Sequence, residues 1–580
     1  MSQLANLKSA TTRKELAVLL GYTPASLTAI IYKTPNASKY TEFEISKKSG
    51  GKRIIKAPIP KLKKLQSHLS HLLYKCLEEI EKEGGAKPIS FGFRKGRSIT
   101  ENASRHKRRR WVLNLDLENF FPSFNFGRVR GYFLKNKSFE LGPEVATTIA
   151  QIACDGTALP QGSPCSPVIS ELIAQILDAR LVRLAKEFGV TYSRYADDIT
   201  FSTSQKDFPS ALAKVDANNP AVWHLSEKLV SKITNSGFGI NDEKTRMHFR
   251  GSRQMVTGLV VNEKVNVRSD YYRRSRAMCD ALFQTGEYFK SMASIGATGE
   301  EQKPEMTNNL NPLEGILSYV YSVTLSEERR EAQEQRQKPR AARKLYRRFL
   351  FYKYFIALNA PLIVTEGKTD PIYLREAVKS QTKFQPLLGA KKGTKFHHAV
   401  RYFNYGGLAH ELLDLGGGTG DLKSIPLDYL RNLKPAKGLH KAFAHVPMKH
   451  PVIIILDNDD GLAAVASTVK KNFNVSIELK TTSDFYHVTD NLYIIKTPEN
   501  GRQNTCIEDL FPKVWLATKL NEKKFNAASK IDPSTEYSKE VFAKAVVKAN
   551  ADKIDFSGFD LLLDRICKVI QDHSKSLHVQ

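Results

Sequence analysis

The chain has 580 residues, with 88 Lys and Arg against 60 Asp and Glu for a net charge of +28. That length exceeds what one core usually holds, so two or more domains are expected; no run approaches the ~20 apolar residues of a spanning helix, so no membrane association and no secretory leader are expected. The basic excess points to a polyanionic partner, and six scattered cysteines with no C-x-x-C pair speak against a zinc site or disulfide framework and for reduced thiols in a cytoplasm.

Residues 1–35 carry apolar residues at helical spacing broken at Gly21 and Pro24, which predicts two short helices. They resemble a helix-turn-helix only faintly and are expected to pack on the following domain. From Tyr40 to Pro60 the period changes to two, predicting a basic hairpin around Ser49-Gly50-Gly51. A helix over Leu62–Glu83 ends at Gly84 and Gly85. WVLNLDLENFF (Trp111–Phe121) reads as a buried strand ending in Asp116 and turning into a helix. In LPQGSPCSPVIS (Leu159–Ser170), Pro160 and Gly162 make a turn, and Ser163 or Ser166 caps a helix starting at Pro164 or Pro167. SRYADDITFS (Ser193–Ser202) alternates as a hairpin with Asp197 and Asp198 at its tip. Residues 265–350 read as basic helices. They close with a run from Arg329 to Arg348 interrupted by Pro339, interleaved and followed by Tyr346, Phe349 and Tyr352, and a domain joint is expected at 350–360. Beyond it, the apolar strands LIVTEG, VIIILDNDDG and NLYIIKTP alternate with helices, the rhythm of a parallel sheet.

An acid ending a core strand is costly unless it meets a metal or a partner. Asp116, Asp197 and Asp198 together supply three carboxylates, enough to hold two Mg²⁺ ions for nucleotidyl transfer. A helix N-terminus beside them suits a nucleotide phosphate or a template strand.

On these residues the chain resembles a retron reverse transcriptase over roughly 10–325. Asp116 stands in D-x-x-x-F-F. It is followed by LPQGSPCSP, YADD and GFGINDEKTR (Gly237–Arg246), with N-A-x-x-H at Asn102–His106 and V-T-G at Val256–Gly258. The resemblance implies an α+β right-hand polymerase with fingers, palm and helical thumb. Asp116, Asp197 and Asp198 are then catalytic and hold the metals. Phe121 excludes a ribose 2′-hydroxyl, Gln161 lines the nucleotide site, Lys52 and Arg53 contact the triphosphate, and Lys244 acts on the pyrophosphate. Glu171 departs from the Asn often found in relatives, which is expected to alter helix packing or a template contact. Asn102, His106, Arg109, Val256, Thr257 and Gly258, with Arg343, Lys344 and Arg347 of the later basic run, are expected to contact nucleic acid; His106 reads equally as a satisfied core histidine.

In the second half, PLIVTEGKTDPIYL (Pro361–Leu374) puts Glu366 after a strand, PVIIILDNDDG (Pro451–Gly461) ends in Asp457-x-Asp459, and TCIEDLF (Thr505–Phe511) offers Glu508 and Asp509. Functional groups gather at the carboxyl ends of parallel strands. This pattern resembles a Toprim domain over about 360–512, of the branch that includes the overcoming-lysogenization-defect nucleases. The resemblance implies Mg²⁺ or Mn²⁺ held by Glu366, Asp457, Asp459 and Glu508, with Lys368 stabilising a phosphate. DLGGGTGD (Asp414–Asp421) reads as a turn before a helix.

The expected organisation is therefore a helical extension (1–35), fingers and palm (36–250), a basic thumb and linker (251–355), and an α/β Toprim-like domain with a mainly parallel sheet (356–580). The resemblance implies a bacterial cytoplasmic enzyme that uses dNTPs and its cognate noncoding RNA, primes from a 2′-hydroxyl, and yields branched msDNA. It also implies a Toprim effector in antiphage defence and leaves room for a homo-oligomer. Two other readings are a nucleic-acid-binding scaffold with an inactive Toprim domain and a group II intron maturase-like enzyme.

Overall fold

The computed structural model describes residues 2–46, 51–84, 89–220, 222–290, 294–295, 301–302, 305–434, 440–479, 482–499, 504–528 and 530–579. Two units result: Met1–Ser269 with Val323–Glu328, and Asp270–Ser322 with Arg329–Gln580.

In the first unit, β1 (Tyr40–Ser46) and β2 (Lys52–Pro58) pair antiparallel with Ser46 opposite Lys52. Most of the expected turn at Ser49-Gly50-Gly51, and Gly85 after the next helix, lie outside the described residues. Helix α1 (Pro60–Gly84) buries Leu62, Leu65, Leu69, Leu73 and Leu77, a 3–4 spacing that puts one stripe inward. Leu4, Leu7 and Leu16 share that core, so the N-terminal helices are packing elements. Strand β3 (Trp111–Glu118) is central to an antiparallel sheet. On one side lie β4 (Thr191–Tyr195) and β5 (Asp198–Thr203), with β5 against β3; on the other lie β6 (Gly239–Ile240) and β7 (Arg246–Phe249).

Two local expectations change. Strand β3 runs two residues past Asp116, because Leu117 and Glu118 pair with Ile240 and Gly239. Helix α2 (Ser166–Glu187) starts with Cys165 at its cap position and no side-chain cap. Ser163 Oγ instead accepts from Cys165 N within the turn, and Ser166 Oγ donates to the Pro160 carbonyl.

The second unit centres on a five-stranded sheet formed by β8 (Leu362–Thr365), β9 (Arg401–Tyr402), β10 (Val452–Leu456), β11 (Tyr486–Thr489) and β12 (Leu492–Lys496). The order is β9-β8-β10-β12-β11, parallel except for β11. Alternate residues of β10 serve opposite faces. Val452, Ile454 and Leu456 join one core, whereas Ile453 and Ile455 join the other with Tyr373, Leu562 and Ile566. Burial on both faces explains the unbroken apolar run.

The expected boundary at 355/356 does not hold. Helices α3 (Ser269–Thr285), α4 (Leu310–Ser326) and α5 (Ala341–Phe351) fall largely in the second unit. Met278, Leu282, Tyr346, Phe349 and Phe351 share one core with Val364 and Ile454. A helix with an apolar face must bury it, and one face of this sheet needs a cover.

Candidate active site

Three acids meet where β3 passes the β4–β5 turn. Asp116 lies opposite Asp198 in the ladder, and Leu117 N donates to the Asp197 carbonyl at 3.0 Å. Ala196, at φ +56°, makes the turn left-handed and so brings both aspartates to its tip. Lys244 Nζ donates to both Asp116 carboxylate oxygens, at 2.9 and 3.0 Å. Burial, then repulsion from Asp116, raises the pKa of Asp197 despite opposition from Lys244 and Arg53. Burial, then Asp197 and Asp116, push Asp198 up to about 7. Asp198 has an exposed edge, so solvent tempers the burial effect and carboxylate repulsion sustains the shift.

Asp116 and Asp197 border a cleft of about 650 Å³ whose lining also includes Lys52, Arg53, Phe121, Gln161 and Lys244. Every expected nucleotide-contacting residue is thus in one place. The β1–β2 hairpin is docked there by Lys56 N donating to the Gln161 carbonyl at 2.8 Å. Gly162, at φ +128°, makes this possible, since a Cβ there would stand 2.7 Å from the Lys56 carbonyl oxygen. Lys52 is exposed and pairs with Glu44 at 2.6 Å.

The N-A-x-x-H residues point inward, which corrects the expectation that Asn102 and His106 contact nucleic acid. Asn102 is 1% exposed and His106 is fully buried. Ser193 Oγ donates to Asn102 Oδ1 at 2.6 Å, and Ser193 Oγ itself accepts from His106 Nε2–H at 2.7 Å. His106 Nδ1 is left to accept from Ser202 Oγ at 2.7 Å. Ser193 and Ser202 lie on β4 and β5, so the motif clamps the hairpin carrying Asp197 and Asp198. Burial, and then Arg109 and Arg105, hold the His106 pKa down to about 3. Folding therefore favours neutral His106. Its contribution is present above the unfolded pKa and is lost as pH falls toward 3, by about 2 kcal/mol at pH 5. Urea denaturation at pH 7 and 5 should show that loss in the wild type and a smaller one in His106→Gln.

A second clamp lies beneath the turn. Arg194, 0% exposed, donates to Glu171 Oε1 and both Asp178 oxygens, each at 2.8 Å, and its Nη1 also donates to the Ala196 carbonyl at 2.9 Å. Glu171 also takes a bond from Arg94 Nε at 3.3 Å. Glu171 thus supports the turn from within the core; β4 is buried on both faces, so its period does not single out Arg194 or name its partners. Gly92 completes the support: a Cβ there would stand 2.4 Å from Ala196 N.

Other expected nucleic-acid contacts divide. Val256 is buried, while Thr257 (φ +46°) and exposed Gly258 (φ +81°) form a tight turn, and Arg109 is half-buried. Arg343 and Arg347 do not form the free basic helix face expected from the sequence. Arg343 is 7% exposed and donates to Tyr321 Oη at 3.2 Å and to the Glu411 carbonyl. Arg347 is held by Asp428 at 2.9 Å and Asp414 at 2.5 Å. Tyr346, Phe349 and Tyr352 are core residues and do not present stacking faces. Lys344 remains exposed.

In the second unit, Glu366 follows β8, Asp457 follows β10, and Glu508 lies in the segment after β12. They share an electrostatic environment with Asp370, which the sequence reading missed although it stands four residues after Glu366. Burial first, then the other acids, raise Asp457 to about 8 and Asp370 to about 6. Lys539 Nζ pairs with Glu508 Oε2 at 3.0 Å. Thr419 Oγ1 donates to Glu366 Oε1, while Glu366 Oε2 and Glu508 Oε1 are buried without a hydrogen-bond partner. Asp459 differs from expectation: its carboxylate accepts from Gly461 N at 2.8 Å, capping its own turn. Lys368 is exposed. Among the described residues, no three acid, His or Cys side chains already stand at metal-coordination spacing in either unit. Buried carboxylate oxygens without donors, and acids whose crowding raises their pKa, are nonetheless the chemistry that a divalent cation satisfies.

The reverse transcriptase (RNA-dependent DNA polymerase) family model matches residues 45–269. The retron Mx65 reverse transcriptase of Myxococcus xanthus is 33% identical over 349 residues, covering 57% of this chain and 72% of that protein. The retron Ec86 reverse transcriptase of Escherichia coli is 34% identical over 248 residues, covering 42% and 70%. Against the retron Mx162 reverse transcriptase of Myxococcus xanthus, identity is 36% over 39% of this chain and 48% of the relative, about half its length. The apo telomerase structure from Candida tropicalis covers 40% of this chain and 56% of its own at 14% identity, with a TM-score of 0.28, too slight a likeness to bear on the fold.

Proposed function

We propose that this chain, which belongs to the retron reverse transcriptase family, copies its own structured noncoding RNA into DNA, primes from a 2′-hydroxyl, and keeps the branched product bound. RNA-directed DNA polymerase function follows from the family. The observation that carries the assignment to particular residues is the meeting of Asp116 with the Asp197–Asp198 turn in a cleft that also holds Lys52, Arg53 and Gln161.

Asp116, Asp197 and Asp198 would hold two Mg²⁺ ions, which when bound activate the attacking hydroxyl and neutralise the triphosphate. The chain's own residues do the rest. Lys52 and Arg53 bring positive charge to the triphosphate, and Phe121, packed against Phe93 and Phe120, presents a fixed wall to the sugar. Lys244, already on Asp116, is placed to follow the charge that develops on pyrophosphate.

The second unit is proposed to be a Toprim effector acting as a metal-dependent phosphodiesterase in antiphage defence, restrained by the bound branched product. Acids following successive parallel strands and two orphaned carboxylate oxygens support this reading. Glu366, Asp457 and Glu508 would hold Mg²⁺ or Mn²⁺, with Asp370 added and Asp459 on the rim.

Sequencing the nucleic acid that copurifies with the protein tests the first half; a linear product alone would refute branching. For the second, in protein stripped of its bound nucleic acid at high salt, Mn²⁺-dependent cleavage of single-stranded DNA or RNA should fall at least about a hundredfold in Glu366→Gln and persist in Asp198→Asn. Equal cleavage in Glu366→Gln would move the activity elsewhere.

A further inference from the structure

The second unit holds a cavity of about 390 Å³ that neither proposed reaction uses. It is lined by Arg336, Arg343, Lys344, Arg347, Arg348 and Arg431, with Asp414 and Asp428 the only carboxylates among them. Asp428 is shared between Arg347 and Arg431, and Asp414 between Arg347 and Arg336, whose Nε stands 3.3 Å away. Lys344 and Arg348 are exposed and have no carboxylate partner among the described residues. The lining therefore carries four positive charges in excess. A chain of two or three phosphates brings comparable negative charge, and guanidinium forks match phosphate oxygens in pairs.

Asp414 is the weak member of this arrangement. Its backbone is left-handed at φ +60°, and its buried Oδ1 makes no hydrogen bond. A non-glycine residue in that conformation persists only while its surroundings hold it. Here the backbone cap to the Ala409 carbonyl holds the conformation, and the ion pairs to Arg336 and Arg347 anchor the side chain. A phosphate competing for those guanidinium groups would release them.

From Asp414 the chain runs directly to the acid cluster. Gly416 N donates to Asp421 Oδ2 at 2.9 Å, Gly418 N donates to the Glu366 carbonyl at 3.0 Å, and Thr419 Oγ1 donates to the Glu366 carboxylate. Gly417 and Gly418, at φ +99° and +106°, give this stretch a shape few other residues allow. The loop is thus tied at one end to the basic cavity and at the other to Glu366.

We propose that the cavity binds a terminal phosphate chain, from a nucleoside triphosphate or from the 5′ end of a nucleic acid, and that the loop Asp414–Thr419 transmits its occupancy to Glu366. The binding half stands by itself; the transmitted effect rests on reading the acid cluster as a metal site.

The test uses full-length protein stripped of nucleic acid at high salt, in a Lys52→Glu, Arg53→Glu background that disables the polymerase cleft. Calorimetric titration with inorganic tripolyphosphate should show one saturable site. Adding Lys344→Glu and Arg348→Glu, both exposed and outside the core, should weaken it at least tenfold, and Asp414→Asn should tighten it severalfold. Amide exchange over residues 415–419 should quicken on tripolyphosphate binding, and not in the Lys344→Glu, Arg348→Glu variant. Two further arms separate the sources: binding of ATP assigns a free nucleotide, whereas binding only of a short 5′-triphosphorylated RNA, and not its 5′-hydroxyl form, assigns a nucleic-acid end. Equal tripolyphosphate affinity with and without the Lys344 and Arg348 changes would overturn the site. Binding with unaltered exchange at 415–419 would overturn the transmission. Mn²⁺ titration of Glu366→Gln tests the metal reading separately, so the two failures are distinguishable.

Discussion

Asp198→Asn should abolish DNA synthesis while making the protein harder to unfold. The substitution keeps the shape of the turn but replaces an anionic oxygen with an amide donor that cannot help hold a divalent cation. A loss on the order of a thousandfold in dTTP incorporation on a poly(rA)–oligo(dT) template is expected. Stability should move the other way. The Asp198 pKa is raised to about 7 by burial and by Asp197 and Asp116. The stability tied to its protonated form is present below the unfolded value near 4 and lost as pH rises through 7. In EDTA at pH 8 the wild type carries that repulsion and the variant does not, so the variant should melt higher at pH 8 and nearly alike at pH 4. Retained synthesis, or a lower melting point at pH 8, would remove Asp198 from the proposed site.

Arg194→Met should be the most damaging single change in the first unit. It leaves Glu171 and Asp178 buried without their shared cation, a loss of ~3–5 kcal/mol, and it removes the donor to the Ala196 carbonyl. Glu171→Asn should be much milder, at about 1 kcal/mol, because Arg194 then remains with Asp178, and Arg94 with Glu81. Urea denaturation followed by the fluorescence of Trp111 and Trp223, whose rings lie 5.4 Å apart in this unit, reads the difference. Similar losses in the two variants would show that the network does not act as a charge-balanced pair.

Much of both sites could be read from local pattern. Asp116, Asp197 and Asp198 were marked by a strand and a hairpin whose periods are visible in the chain, and Glu366 and Asp457 by their position after apolar strands. Asp370 is not legible in the sequence, because a helix-starting acid after a Gly-Lys-Thr turn looks like an ordinary first-turn residue; only the packing of separate strands brings it near Asp457 and Glu508. Asp459 shows the converse. A D-x-D pair can share a side, yet the turn after β10 uses Asp459 to cap Gly461.

The basic run at Arg329–Arg348 teaches the same lesson about charge. Its helical spacing was legible, but which face met solvent was not. Arg343 and Arg347 lie against carbonyls and carboxylates contributed by residues 411–428, and the aromatics expected to stack on bases fill the core. The linear chain alone determined where strands and helices form, which acids end or flank strands, and the net charge, because backbone periodicity and composition are local or additive. Tertiary structure alone decided which charges are neutralised, which polar side chains clamp the catalytic turn, and where the two units divide, because those outcomes depend on groups 16 to 128 positions apart meeting in a low-dielectric interior.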